Sequence, residues 1–364
     1  MTNTIFLLGA GASVEANLPK ASELFEEITN DVSNSSWKAL LQELKDKSKN
    51  KFEDSISALE FLSSQNFATL ELDLLKIISD VKFEIPKSQL EDIYNLVDYI
   101  KRIWINDKFQ VNNSQSVEYL HPLLQFCKEH RQSIFTLNYD NTIEKAADFL
   151  NIEYSTGFAN PNELKTEFFD INNFKLGNHD LNLYKLHGSI GWFISKLSSD
   201  NLYNNVYKPY NKNDSDEKSS KPAIILGSKN KLTWEGMYLD LLMTFRKQLR
   251  TAENIYILGY SFSDNHINKY IQEAWSNYPN KTFTIVDPYP PDFRTLPTPC
   301  FLGGVHEVKG SFDFRNLFFS VENPHNNKLH LIKARTSVFC KQLEARKLKV
   351  IDLSGLWIKK GEPP

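Results

Sequence analysis

The apolar run at residues 3–8 (Asn-Thr-Ile-Phe-Leu-Leu) stops abruptly at Gly9-Ala10-Gly11-Ala12-Ser13. An apolar run this short, closed by glycines, predicts a buried strand that enters a tight turn before a helix. Backbone amides in such a turn can cradle a diphosphate at the helix N-terminus, and a plain structural turn is the alternative reading. The dinucleotide fingerprint would need a third glycine at position 14, where Val14 stands, so an ordinary dehydrogenase lacks its packing residue here.

A strand that opens a chain in this way needs parallel neighbours, and the rest of the sequence supplies them. From about 20 to 130 the pattern is helical: Leu24, Phe25 and Ile28 recur at helical spacing, as do Ile93, Leu96, Val97 and Ile100. Strand-like runs resume at 133–137, 183–186, 223–226, 255–258 and 282–286. They are apolar on both faces and separated by helical patterns, which suits a parallel sheet covered by helices. The expected fold class is α/β, a doubly wound parallel Rossmann-like sheet with a helical insertion of about 110 residues between its first two strands. Residues 196–221, rich in Ser, Asn, Asp, Lys and Tyr, read as a polar loop, and 327–348 as helix within a helical C-terminal extension, 311–364.

Composition narrows the function. Lys and Arg number 42 against 45 Asp and Glu, a net charge of −3, which leaves no electrostatic footprint for direct nucleic-acid binding. No run approaches the roughly 20 apolar residues of a membrane span, and the first apolar run lacks the basic start of a secretion signal, so a cytoplasmic location is expected. Cys127, Cys300 and Cys340 lie far apart with no Cys-x-x-Cys pair. That predicts no disulfide framework and no four-thiolate zinc site from this chain alone.

The chemistry-bearing residues sit where the predicted strands end, the edge at which open α/β sheets bind ligands. In Phe135-Thr136-Leu137-Asn138-Tyr139-Asp140, Asn138 can orient a water or a sugar hydroxyl. Asp140 can accept from ribose hydroxyls or cap the following helix. In Lys185-Leu186-His187-Gly188-Ser189, His187 is a candidate general base, or a histidine satisfied at the sheet edge, and Gly188 lets a ligand approach the backbone. In Leu258-Gly259-Tyr260-Ser261-Phe262-Ser263-Asp264, Gly259 and Ser261 can meet a phosphate or ribose, while Ser263 or Asp264 caps the next helix. Asp287, in Ile285-Val286-Asp287-Pro288, can accept from a ribose or simply form an Asp-Pro turn.

Taken together, the order Gly-Ala-Gly-Ala-Ser, Phe-Thr-Leu-Asn-Tyr-Asp, Leu-His-Gly-Ser, Gly-Tyr-Ser and Val-Asp over residues 4–290 resembles the sirtuin (Sir2-like) family. By that resemblance Gly9, Ala10, Gly11 and Ser13 would hold the NAD diphosphate, Asn138 and Asp140 the nicotinamide ribose, and His187 would be the catalytic histidine. Ser261, beside Gly259, and Asp287 would serve the adenosine half. The sequence departs from the deacylases of that family: it has no paired Cys-x-x-Cys zinc module, and Lys20-Ala21-Ser22 follow Pro19 where they carry an acidic and an aromatic residue. The combination looks like the Sir2-like NAD hydrolases of bacterial antiphage defence, which deplete NAD. The resemblance implies a catalytic domain over 1–310 that includes the insertion, NAD as substrate with no metal, and cleavage of the nicotinamide N-glycosidic bond. It also implies a homo-oligomer or a partner defence protein, such as an ATPase or another sensor chain. The alternatives are a module that senses NAD or ADP-ribose without turnover, and an NAD-dependent protein deacylase.

Overall fold

The computed structural model describes residues 3–19, 23–48, 52–53, 55–56, 59, 90–159, 166–175, 179–194, 206–209, 221–226, 236–289, 318 and 326–352. Lys20, Ala21, Ser22, Cys300, most of the expected polar loop and the last twelve residues lie outside them.

Strand β1 is Thr4–Leu8, followed by helices α1 (Leu24–Asp31), α2 (Ser35–Lys47), α3 (Leu90–Tyr99), α4 (Ile105–Lys108) and α5 (His121–His130). Next come β2 (Ser133–Thr136), α6 (Thr142–Phe149), the short strands β3 (Tyr154–Ser155) and β4 (Phe158–Ala159), β5 (Thr166–Phe169), β6 (Leu181–Lys185) and β7 (Gly188–Ile194). The chain continues through β8 (Val206–Pro209), β9 (Lys221–Ile224), α7 (Met237–Thr251), β10 (Asn254–Leu258), α8 (Asn265–Asn277), β11 (Thr282–Val286), β12 (Lys328–Ile332), α9 (Thr336–Glu344) and β13 (Ile351–Asp352).

The main sheet has the order β13-β12-β11-β10-β1-β2-β6-β3 and is parallel except where β13 meets β12. Its six central strands run β6-β2-β1-β10-β11-β12, the doubly wound order, and the direction of winding reverses between β1 and β10. Each strand is apolar on both faces because each face meets helices. Ile5 and Leu7 point with Phe135, Ile257 and Ile285 toward α7 and α8, where Phe245 and Trp275 are buried. Phe6 and Leu8 alternate to the other face, against Leu124 of α5, Ala146 of α6 and Phe339 of α9. Helices α1 to α4 keep their own core, with Phe25, Ile28, Leu41, Leu96 and Ile100, and that core also takes in Tyr139 and Ile224.

Two expectations are corrected. Residues 223–226 do not continue the parallel sheet: β9 pairs antiparallel with β7 in a second sheet of order β4-β5-β8-β7-β9. Pro222 in β9 has no N–H to give a second neighbour, which suits the edge position it occupies. This second sheet also takes β8 out of the stretch expected as polar loop. In the C-terminal extension, 328–332 is not helix: β12 pairs parallel with β11 and buries Leu329, Leu331 and Ile332, and the helix expected over 327–348 is shortened to α9.

Register places the strand ends in one row. Leu8 pairs with both Thr136 and Leu258, Thr136 with Lys185, and Leu258 with Val286, which pairs with Ile332. One further backbone bond continues every ladder: Leu186 N to Thr136 O, Leu137 N to Leu8 O, Gly9 N to Leu258 O, Gly259 N to Val286 O and Asp287 N to Ile332 O. All five chemistry-bearing segments therefore leave the sheet at the same level of its carboxyl edge.

Candidate active site

The crevice at the winding reversal brings the glycine turn against the segment after β10. A Cβ on Gly9 would lie 2.7 Å from Gly259 O, and one on Gly11 would lie 2.8 Å from Gly259 Cα. Gly259 has φ +59°, and a Cβ there would lie 2.3 Å from Ala12 N. These glycines are dictated by the approach of two loops, a constraint that acts before any ligand is considered. The expected helix N-terminus is not at this turn: 10–12 and 14–16 are single 3-10 turns, the first α-helix starts at Leu24, and the amides of Gly9, Gly11, Ala12 and Ser13 are already given to Leu258 O, Gly259 O, Gly9 O and Ala10 O. Ala10 and Gly11 are exposed at the rim, while Ser13 is buried.

Asn138 closes the other wall. Its backbone N–H donates to Thr136 Oγ1 at 3.0 Å, and its side-chain Nδ2 donates to Gly9 O at 3.0 Å and Ser13 Oγ at 2.9 Å. Both amide protons are thus committed to the glycine turn. The Oδ1 acceptor keeps no protein partner among the described residues, so it is the atom of Asn138 that can serve a ligand. Asp140 divides its carboxylate in the same way. Oδ1 accepts from Thr142 N at 3.0 Å and Thr142 Oγ1 at 2.7 Å, which organises the start of α6, while Oδ2 has no partner among the described residues. The cap and ligand readings of Asp140 are therefore compatible.

His187 is buried, and its Nε2 lies 3.0 Å from Asp264 Oδ2. Asp264, 3 % exposed, uses Oδ1 as the N-cap of α8, accepting from His266 N at 3.0 Å and Ile267 N at 3.4 Å. A carboxylate on Nε2 favours the tautomer that carries its proton there, which leaves the basic lone pair on Nδ1. Gly188 follows at φ +78°, where a Cβ would lie 1.9 Å from Ala223 O. The close approach that requires this glycine is thus made by strand β9, and His187 is set by the junction of the two sheets.

The segment between β10 and α8 carries strain. Phe262 is a buried non-glycine residue at φ +56°, a conformation that costs of order 1–2 kcal/mol. Asn268 of α8 holds it, donating from Nδ2 to Phe262 O at 2.7 Å and accepting at Oδ1 from Tyr260 Oη at 2.9 Å. The hydroxyl of exposed Ser261 lies 3.0 Å from that of Ser263. Asp287 Oδ1 accepts from Tyr289 N at 2.7 Å, as in an Asp-Pro turn.

Sequence reasoning overlooked three groups. Asp264 was legible as a cap, but its bond to His187 spans 77 positions. Lys185 is wholly buried, with Nζ on Asp140 O and on Glu144 Oε1, the latter at 2.6 Å. A lysine inside an otherwise apolar strand is the local sign that such a partner exists. Glu15, after the glycine turn, accepts from Ser337 N at 2.9 Å and Ser337 Oγ at 2.6 Å, so α9 is fastened to the turn. Among the described residues no cluster of His, Cys, Asp and Glu is arranged to hold a metal ion, and no helix is long and apolar enough to cross a membrane.

Residues 132–298 match the SIR2-like domain family. No curated protein matches the chain. Similar solved structures include a Sir2 homolog–NAD complex, at 11 % identity and TM-score 0.43, covering 95 % of this chain and 89 % of that one. They also include Sir2 bound to acetylated peptide, at 11 % identity and TM-score 0.41, covering 94 % and 92 %. The matched residues begin just before β2 and contain Asn138, His187 and Asp264, while the glycine turn joins them through β1. The similarity to the SIR2-like domain family thus covers the candidate site's wall at the winding reversal of the sheet.

Proposed function

We propose that the protein is an NAD+ glycohydrolase, releasing nicotinamide and ADP-ribose. The observation that carries this reading is the division of labour at the crevice: Asn138 offers only Oδ1, and His187 is held by a buried carboxylate so that Nδ1 is the basic atom. In this reading the C1′–N bond breaks with its electron pair passing to the already cationic nicotinamide, which leaves neutral and needs no acid. Water adds to the oxocarbenium-like C1′. Asn138 Oδ1 accepts a hydrogen bond from that water or from a ribose hydroxyl, Asp140 Oδ2 accepts from the ribose, and His187 takes the proton that water loses. NAD+ and water give nicotinamide, ADP-ribose and one proton. The rim at Ala10 and Gly11, with Ser13, Gly259, Ser261 and Asp287, would hold the diphosphate and the adenosine half. No step calls for a metal ion.

We also propose that depletion of NAD in antiphage defence is the purpose of this activity, in the cytoplasm, and that assembly with itself or a partner chain releases it. The helical insertion supports that coupling, because Tyr139, next to Asn138, is packed in the insertion's core and donates to Glu53 Oε1 at 3.2 Å. Contacts made on those helices would reach the Asn138 loop through Tyr139, and through Asn141, whose Oδ1 accepts from Val111 N at 2.6 Å.

Release of ADP-ribose from NAD+, with and without an acylated peptide, tests the reading. Turnover without peptide is expected, and Asn138→Ala and His187→Ala should each abolish it in a protein with an unchanged circular dichroism spectrum. Turnover only with peptide would make the chain a deacylase. Binding without turnover, at every protein concentration and with a cognate partner, would make it a sensor module.

A further inference from the structure

The last rung between β2 and β6 is Leu186 N to Thr136 O. Beyond it the two chains diverge, one carrying Asn138 and Asp140, the other His187. What holds these loops together past the ladder is a small set of bonds to two carbonyls. Ser189 Oγ and Ile190 N donate to Tyr139 O at 3.3 and 3.0 Å. Asp140 O is taken by the ammonium of Lys185, which also meets Glu144 Oε1 on α6. Lys185 is fully buried and Glu144 partly so, with side-chain exposures of 0 and 16 %.

Such a pair is a poor device for stability. Desolvating both ions consumes much of the Coulombic gain, and well-packed apolar residues of the same volume often do as well or better. Glu144 Oε2 is, in addition, buried with no hydrogen-bond partner, so the pair is not the closed network that stability would favour. What the ammonium does that a methyl group cannot is donate to two acceptors at once, one on the loop and one on the helix after it.

We propose that Lys185 is a positioning residue. By holding Asp140 O and Glu144 together it fixes the 137–141 loop in register with His187, two residues past the end of β6. It touches no substrate, and it acts by keeping Asn138 Oδ1 and Asp140 Oδ2 in place. Its link to turnover rests on the proposed NAD hydrolysis, whereas the ordering of the loop does not.

The test compares wild type, Lys185→Met and the double variant Lys185→Met/Glu144→Leu by thermal melting, hydrogen exchange of the peptide covering 137–142, and steady-state NAD turnover. The double variant, with no unpaired buried charge, should recover most of the melting temperature lost by Lys185→Met. In both, exchange across 137–142 should rise about tenfold relative to β10 and β11. Turnover should fall about 100-fold in kcat with KM within about threefold, as expected when reacting groups are misplaced and not removed. Recovery of kcat together with stability in the double variant, or unchanged exchange across 137–142, overturns the proposal. Exchange does not depend on activity. A rise in exchange in a protein whose wild type never hydrolyses NAD would support the positioning role and sink the proposed reaction instead. Should Lys185→Met not fold, the double variant alone supplies both readouts.

Discussion

Asp264 performs two tasks with separate oxygens, so two substitutions can take them apart. Asp264→Asn keeps an oxygen for the α8 cap, and Asn ranks with Asp at that position. It loses the negative charge at the helix N-terminus, of order 0.3–1 kcal/mol, and the charge-assisted bond to His187, of order 1.5–3 kcal/mol. Because the new Nδ2 can only donate, His187 must offer Nε2 as an acceptor and move its proton to Nδ1, the atom assigned as base. Asp264→Ala loses the cap as well, a further ~1 kcal/mol, and leaves a small void. Stability by urea denaturation should therefore fall in the order wild type, Asn, Ala, with Asn about 2–4 and Ala about 3–5 kcal/mol below wild type. Turnover should not follow that order. The Asn variant, locked in the wrong tautomer, should be at least as slow as the Ala variant, with both about 10²–10⁴ below wild type. Release of ADP-ribose, followed chromatographically well below each melting temperature, supplies the rates. Activity that tracks stability across the three proteins, or an Asn variant with near wild-type turnover, would refute the assignment of Asp264 as the group that sets the tautomer of His187.

Two further outcomes follow from local geometry. Gly188→Ala should cost more than about 3 kcal/mol and reduce soluble yield, because the new Cβ meets Ala223 O at 1.9 Å in addition to the penalty of φ +78°. Gly191→Ala is its control: φ is +74° but nothing lies within 4 Å of the new Cβ, so only the backbone penalty of about 1–2 kcal/mol is expected, and equal losses would discount the contact with β9. Burial pushes the thiol of Cys127 well above its ordinary value and that of Cys340 up to about 12, so neither presents a thiolate at pH 8. Ellman's reagent should titrate no more than one thiol in the native protein, Cys300, and all three in denaturant. Native reaction of Cys127 or Cys340, located by mass spectrometry, would show that the cores they occupy open readily.

The parallel sheet, the helices between β1 and β2, and the placing of Asn138, His187, Gly259 and Asp287 at strand ends were legible in the chain as written. Each is a local property: a run of apolar residues long enough to cross a sheet, closed by a residue type that turns or binds. Tertiary structure decided what those signals cannot encode. β9 reads like any short apolar strand, and its place at the edge of a second sheet comes from the approach of Ala223 to Gly188 and from the missing N–H of Pro222. β12 alternates Lys328, Leu329, His330 and Leu331 next to helical sequence, and only a free edge on β11 selects the extended form. Asp264 was visible as a cap because a cap acts on amides only two and three residues further on. Its other oxygen meets His187 because β1, β2, β6 and β10 end at one level, and that level is set by backbone hydrogen bonds that carry no trace of side-chain identity.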